Sequence, residues 1–281
     1  MDSGLSGRVS MVTGATRGIG RAIAQDLASR GASVVLVARD LVRGEAVAAE
    51  LKETTSNPQV SAIQGDLASQ TSIRQLAADF RRSHDQLHIL VNCAGVFKGQ
   101  RKLSPDGLEL MFATNHLGYF LLTNLLLDTL KASAPSTILN VTAPSTTRPD
   151  FDDLQGERSF RALWAFGATK MENLLFTFAL ARRLEGSGVT VNAIHPGLAR
   201  TDLMRETPMP FRLFTGVLNR FAAPPARAAQ ELVGVLAGQA QAVNGQFFHR
   251  GEIIAAPASA QDQAAQERLW QISLQLCGLT F

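Results

Sequence analysis

Short runs rich in Val, Ile and Leu punctuate the chain: RVSMVT at 8–13, SVVLVA at 33–38, QVSAIQ at 59–64, HILVN at 88–92, STILNVT at 136–142 and VTVNAI at 189–194. Each is separated from the next by a segment long enough for a crossover helix, the spacing of parallel strands joined by right-handed βαβ units. The runs are apolar at consecutive positions rather than alternate ones, so both faces of the sheet are expected to be covered by helices. The pattern predicts one α/β domain over 1–281, a doubly wound parallel sheet with no linker, repeat or low-complexity tract.

Two stretches interrupt this rhythm. Residues 144–160, PSTTRPDFDDLQGERSF, are a polar excursion between the fifth strand and its helix, and 198–223 contain the apolar, Pro-punctuated LMRETPMPFRLFTGVLNRFA. Both leave from carboxyl ends of strands, where open α/β sheets place their ligands, so both are candidate walls of a substrate pocket. The second reads equally as an amphipathic helix packed on the sheet, on a partner or on a membrane surface.

Composition narrows the picture. With 281 residues, 46% of them hydrophobic and 18% charged, the chain has the profile of an ordinary globular domain with a sizeable core. A net charge of +3 without a Lys/Arg run or an aromatic platform argues against nucleic-acid binding. Cys93 and Cys277 are too few for a disulfide framework and suit a reducing compartment. No uninterrupted apolar run approaches the roughly 20 residues of a membrane span, and MDSGLSGRVS has no signal core, so a cytoplasmic location is expected. His84, His88, His116, His195 and His249 form no metal-ligand pattern.

Candidate chemistry begins at VTGATRGIGRAI, which sets Gly14, Gly18, Ile19 and Gly20 between the first strand and a helix. Glycine lets the backbone approach a pyrophosphate, and the helix N-terminus offers it free N–H groups and a positive dipole end. Strand, turn and helix in this order are the signature of a Rossmann-type dinucleotide site. The second strand ends with Ala38 and Arg39, where an NAD site would hold a carboxylate for the ribose 2′-hydroxyl. With no carboxylate to repel it, a 2′-phosphate would be held by Arg39 and Arg17, which favours NADP(H); two solvated surface arginines are the plainer alternative.

Taken together, TGATRGIG at 13–20, GDL at 65–67, NCAG at 92–95, NHLGYFLLT at 115–123, DDLQGERSF at 152–160, LEGSGVTVNAIHPG at 184–197 and ERLWQISLQLCGL at 267–279 make the chain resemble the short-chain dehydrogenase/reductases, in their retinol dehydrogenase-like branch, over its whole length. The membrane-anchoring leader of many such proteins is not seen in this sequence, which reads as a soluble version. The resemblance implies that Asp66 and Leu67 border the adenine, that Asn92, Ala94 and Gly95 line the cofactor cleft, and that Pro196, Gly197 and Thr201 flank the nicotinamide. Asp66 reads alternatively as a helix cap.

The same resemblance implies a catalytic tetrad of Asn, Ser, Tyr and Lys. Asn115 and Lys170 match it; NVTA puts Ala143 where the serine belongs, and AFGATK puts Phe166 where the tyrosine belongs. Thr142 precedes Ala143, but strand alternation turns its side chain to the opposite face, which leaves Ser145 or Thr146 as nearby hydroxyls. Tyr119, the only tyrosine, lies one turn beyond Asn115 and reads as a packing residue. Lys170, the implied ribose ligand, is also a candidate proton donor if desolvated.

Three functions fit. The first is an NADP(H)-dependent oxidoreductase with altered proton handling, acting on a hydrophobic small molecule at an imine or a polarised C=C bond. The second is a non-redox isomerase, cyclase or lyase using Asn115, Lys170 and, as candidate bases, Asp152 and Asp153, for which solvated loop carboxylates are the plainer reading. The third is a catalytically silent NADP(H)-binding protein. A homo-oligomer would use the helices after the fourth and fifth strands, for which the stripe LLTNLLLDTL at 121–130 offers an interface or simply core.

Overall fold

The computed structural model describes residues 5–197 and 224–280. Its strands are β1 (Val9–Thr13), β2 (Ser33–Ala38), β3 (Val60–Gln64), β4 (Ile89–Asn92), β5 (Ser136–Val141), β6 (Val189–His195), β7 (Phe247–His249) and β8 (Glu252–Ile253). They form one sheet in the order β3-β2-β1-β4-β5-β6-β7-β8, parallel except for the antiparallel β7–β8 pair. The reversal between β1 and β4 opens the crevice at which such sheets bind ligands. Six strands coincide with the apolar runs of the sequence. The edge pair β7–β8 was not foreseen, because FFH is three residues long and sits between Gly245 and Gly251, too short to show a period.

Helices α1 (Gly18–Ser29), α2 (Leu41–Thr55) and α3 (Gln70–Ser83) join the first four strands. Beyond β4, α4 (Leu110–Phe112) passes through a π-helical turn (Ala113–Leu117) into α5 (Gly118–Ala132); α6 (Ala162–Arg183), α7 (Pro225–Ala237) and α8 (Gln263–Cys277) follow. The two faces of each strand feed separate cores. Val12, Val34, Leu36, Val91 and Leu139 pack with α1, α2 and α7, whereas Met11, Val35, Leu90, Ile138 and Val191 pack with α3, α5, α6 and α8. That division explains why the strands read as continuous apolar runs.

The stripe at 121–130 belongs to the interior, with Leu121, Leu122, Leu126, Leu127 and Leu130 all buried. Leu110–Ala132 is long and apolar enough to cross a membrane by length and composition, and 83% of that window is buried inside the fold, as in a core helix.

Polar groups also cross the interior. Asn92 Nδ2 donates to Thr123 Oγ1 (3.0 Å) and Asn140 Oδ1 (2.9 Å), and Asn140 Nδ2 donates to Thr177 Oγ1 (2.9 Å). Thr177 in turn donates to the Asn173 carbonyl (2.7 Å). These side chains are fully buried, so the ladder pins β4, β5, α5 and α6 to one register with bonds that water cannot replace.

Candidate active site

The glycine turn is built by close approach. Gly14 has φ +68°, and a Cβ there would stand 2.8 Å from the Ala94 Cα; a Cβ on Gly20 would stand 2.4 Å from the Gly14 carbonyl oxygen. Only glycine lets the turn fold onto α1 and lie against the loop after β4. Arg17, in extended conformation, starts α1 without a side-chain cap, so the free N–H groups of the first turn are left for a ligand. A narrow turn, an uncapped helix N-terminus and the β1/β4 crevice together fit the diphosphate of a dinucleotide.

Thr13, the first residue of the TGATRGIG motif, locks this arrangement. Its Oγ1 accepts from the N–H groups of Cys93 (2.9 Å) and Ala94 (3.0 Å). The signal in the sequence was a hydroxyl ending an otherwise apolar strand. The Ala94 carbonyl accepts from Tyr119 Oη (2.8 Å), so Tyr119 does more than pack: it braces the loop. Burial drives its phenol well above the ordinary value, which removes it as a proton source.

Several other expected cofactor residues take definite places. Arg17 and Arg39 are both exposed, at the ends of the glycine turn and β2, and neither forms an ion pair among the described residues. Asp66 accepts from Ala68 N (3.0 Å) in a local turn; the cap of α3 is Ser69, so Asp66 is not the helix cap. The Leu67 side chain is buried in the core, leaving its backbone for a ligand, and the Asn92 side chain is likewise committed to the polar ladder. Pro196 and Gly197 follow β6, with Gly197 beside His249. Thr201 and the expected pocket wall at 198–223 lie outside the described residues.

Asn115 sits in the π-helical turn, a distortion that often marks functional positions. Its Oδ1 accepts from Val96 N (2.8 Å), while Nδ2 donates to Val96 O (3.0 Å) and Thr169 Oγ1 (3.2 Å). Both amide protons are therefore used, and Asn115 ties the loop after β4 to α6. Lys170 lies across the same gap: a Cβ on Gly95 would stand 3.6 Å from Asn115 Oδ1 and 4.0 Å from Lys170 Nζ. Thr142 Oγ1 donates to the Lys170 carbonyl (2.8 Å), so it faces the helix backbone as alternation required and cannot stand in for a hydroxyl at Ala143.

Lys170 is 8% exposed, and its Nζ stands 5.1 Å from the Phe166 ring centroid. Burial lowers its pKa to about 8, against a smaller opposing pull from Cys93. Phe166 packs edge-on against the buried Phe97 at 5.6 Å. Two hydroxyls of the polar excursion lie against the neighbouring Gly167: a Cβ there would meet Thr147 Oγ1 at 2.6 Å and Ser145 Oγ at 3.4 Å. Ser145 thus stays near the site, whereas Thr146 is exposed and Thr147 stands in the place expected of it.

The rest of the excursion is clamped. Arg268 binds Asp152 Oδ1 (2.7 Å) and lies over Phe151, and Arg101 donates to the Gln155 carbonyl (2.9 Å). Asp153 accepts from the N–H groups of Glu157, Arg158 and Ser159. Of the two aspartates considered as bases, Asp152 is thus in a surface ion pair and Asp153 is bound to the loop's own backbone. Deeper along α6, Glu172 is buried near Glu109; Glu172 Oε2 and Glu109 Oε1 have no hydrogen-bond partner among the described residues, and burial pushes both carboxyls upward, Glu172 well above the usual range.

Residues 8–209 match the family model described as short chain dehydrogenase. The chain is 41% identical to retinol dehydrogenase 11 of Homo sapiens over 278 residues, 98% of this chain and 87% of that protein. Among solved structures it is similar to an uncharacterized protein from Mycobacterium paratuberculosis, with TM-score 0.78 and 29% identity over 99% of this chain and 96% of that one. It is also similar to the Pseudomonas aeruginosa RhlG/NADP active-site complex, with TM-score 0.72 and 27% identity over 88% and 96%.

Proposed function

This chain belongs to the short chain dehydrogenase family, a family of oxidoreductases, and from that premise we propose an NADP(H)-dependent oxidoreductase with a non-standard proton relay. Its substrate is a hydrophobic small molecule, reduced at an imine or a polarised C=C bond in preference to a simple carbonyl. The observation that carries the reading is the unequal state of the two halves of the cleft. The glycine turn, Gly95, Asn115 and Lys170 form one contiguous wall, while Ala143 and Phe166, at the positions of the family's serine and tyrosine, have no exchangeable proton.

When bound, the nicotinamide supplies or takes up a hydride. Gly14, Gly18, Ile19 and Gly20 would hold the diphosphate, Arg17 and Arg39 the 2′-phosphate, Asp66 and Leu67 the adenine side and Lys170 the nicotinamide ribose, with Ala94 and Gly95 lining the cleft and Pro196 and Gly197 flanking the ring. The NADP of the Pseudomonas aeruginosa complex supports the cofactor choice. The aromatic pair Phe97 and Phe166 supports an apolar substrate, as does the retinol for which the human relative is named. Engagement of Asp152 and Asp153 in the loop weakens the non-redox alternative, which needed them as bases.

The test is to bind NADPH and then offer imines, enones and carbonyls, following reduced-cofactor absorbance and product mass together. Stoichiometric oxidation with product is expected. Product without oxidation, or binding with no turnover of any acceptor, would count against the reading. For the cofactor itself, Arg17→Ala and Arg39→Ala are each expected to weaken NADPH binding by about 10- to 100-fold, the worth of a charge-assisted contact, with NADH binding nearly unchanged. Fluorescence titration of both cofactors checks this, and equal losses for the two would remove the 2′-phosphate assignment.

A further inference from the structure

Resting on the oxidoreductase reading, we propose that the ammonium of Lys170 delivers the proton when a neutral acceptor is reduced in this cleft, in place of the hydroxyl that Phe166 lacks. Nζ lies at the Gly95 side of the cleft, 4.0 Å from where a Cβ on Gly95 would stand, and 5.1 Å from the centroid of the Phe166 ring. Its backbone is fixed by Thr142, and the neighbouring Thr169 is bound to both Asn115 and the Phe166 carbonyl, so the side chain starts from a rigid base. No hydrogen bond to Nζ is formed among the described residues, which leaves its protons for a ligand.

The other titratable groups around it are unsuited. Cys93, from the loop after β4, is pushed up to about 12 by burial. Tyr119, behind that loop on α5, spends its proton on Ala94. Glu172, on the same helix, is itself raised well above the ordinary carboxylate range by burial and by Glu109. His195, at the end of β6, is lowered to about 4 by burial and by the stacked His249, so it is neutral near pH 7. Lys170, lowered to about 8, holds a proton at neutral pH and releases it more readily than an exposed lysine.

In the reduction, the acceptor carbon takes a hydride with its electron pair from NADPH, which is oxidised to NADP+. The π pair of C=O or C=N moves to the heteroatom, or that of an enone to its enolate, and that basic centre takes a proton from Nζ. Lys170 is left as a neutral amine and recovers its proton from water.

An N-alkylated iminium ion separates proton delivery from everything else, because hydride addition turns it into a neutral amine with no proton needed. Unmodified protein is expected to reduce both the iminium and neutral acceptors. The rate on neutral acceptors should fall about tenfold per pH unit above about pH 8, while the iminium rate stays level. Lys170→Arg keeps the positive charge but does not release a proton near neutrality. Fluorescence titration measures what the change costs in NADPH binding, and at saturating NADPH the variant should lose neutral-acceptor reduction by about 10²-fold more than it loses iminium reduction. The proposal is overturned if the variant binds NADPH and loses both reactions equally, or if the neutral-acceptor rate of the unmodified protein stays level to about pH 10; the latter measurement decides the matter should the variant not bind cofactor. Binding of NADPH with reduction of neither acceptor overturns the oxidoreductase reading, and proton delivery by Lys170 with it.

Discussion

The paired change Ala143→Ser and Phe166→Tyr is expected to raise reduction of aldehydes and ketones by about 10²–10⁴-fold, the usual contribution of a placed general acid. The scaffold for the new hydroxyls is present. Phe166 already packs on Phe97, and Lys170 Nζ sits beside the ring to lower the pKa of a phenol placed there. Asn115 holds the facing loop through Val96. The gain should be more than additive, because a tyrosine alone leaves the carbonyl oxygen unoriented. Steady-state NADPH oxidation with a panel of carbonyls measures it. A double variant that folds and binds NADPH, yet reduces none of them faster than the parent, would mean that the pocket has diverged well beyond two side chains.

A second large effect is expected in stability. Burial, with repulsion from Glu109, pushes the Glu172 carboxyl well above its ordinary value. The folded state therefore favours the protonated form, whereas the unfolded chain ionises at the ordinary carboxylate pKa. Stability from this group is complete below that ordinary pKa and is lost as pH rises toward the elevated folded value. Glu172→Gln removes the ionisation of this buried side chain. The variant is expected to be more stable than the parent by about 1–3 kcal/mol at pH 8, the cost of an unsatisfied buried polar group, and to show a smaller gain at pH 5. Denaturant midpoints at the two pH values check this; an equal or lower midpoint at pH 8 would show that the pair is satisfied in another way.

Most of the sheet was legible because a parallel sheet covered on both faces demands consecutive apolar residues, and STILNVT or SVVLVA has no other comfortable home. The glycine turn was legible for a related reason: Gly14 and Gly20 fill positions where backbone meets backbone. What escaped was whatever depends on partners distant in the chain. Thr13 and Tyr119 look like minor members of their segments until the loop after β4 folds between them. The same holds for Asn92 and Asn140, whose amides meet only when β4 and β5 lie side by side. Asn115 was identified by its motif, but its commitment to Val96 and Thr169 was not, because a π-helical turn has no distinct sequence period. The ion pair of Asp152 was not legible because nothing local announces Arg268, which lies more than a hundred residues away.

The buried amide and hydroxyl ladder from Asn92 through Asn140 to Thr177 bears on how such a protein changes its chemistry over time. It holds α6, and so Lys170, by bonds in the interior that involve neither Ala143 nor Phe166. The side chains at positions 143 and 166 and those that hold the frame are thus physically separate. Substitutions at the half-buried cleft surface can be sampled with little penalty in folding, and a lineage can leave one reaction and try another without passing through an unstable intermediate.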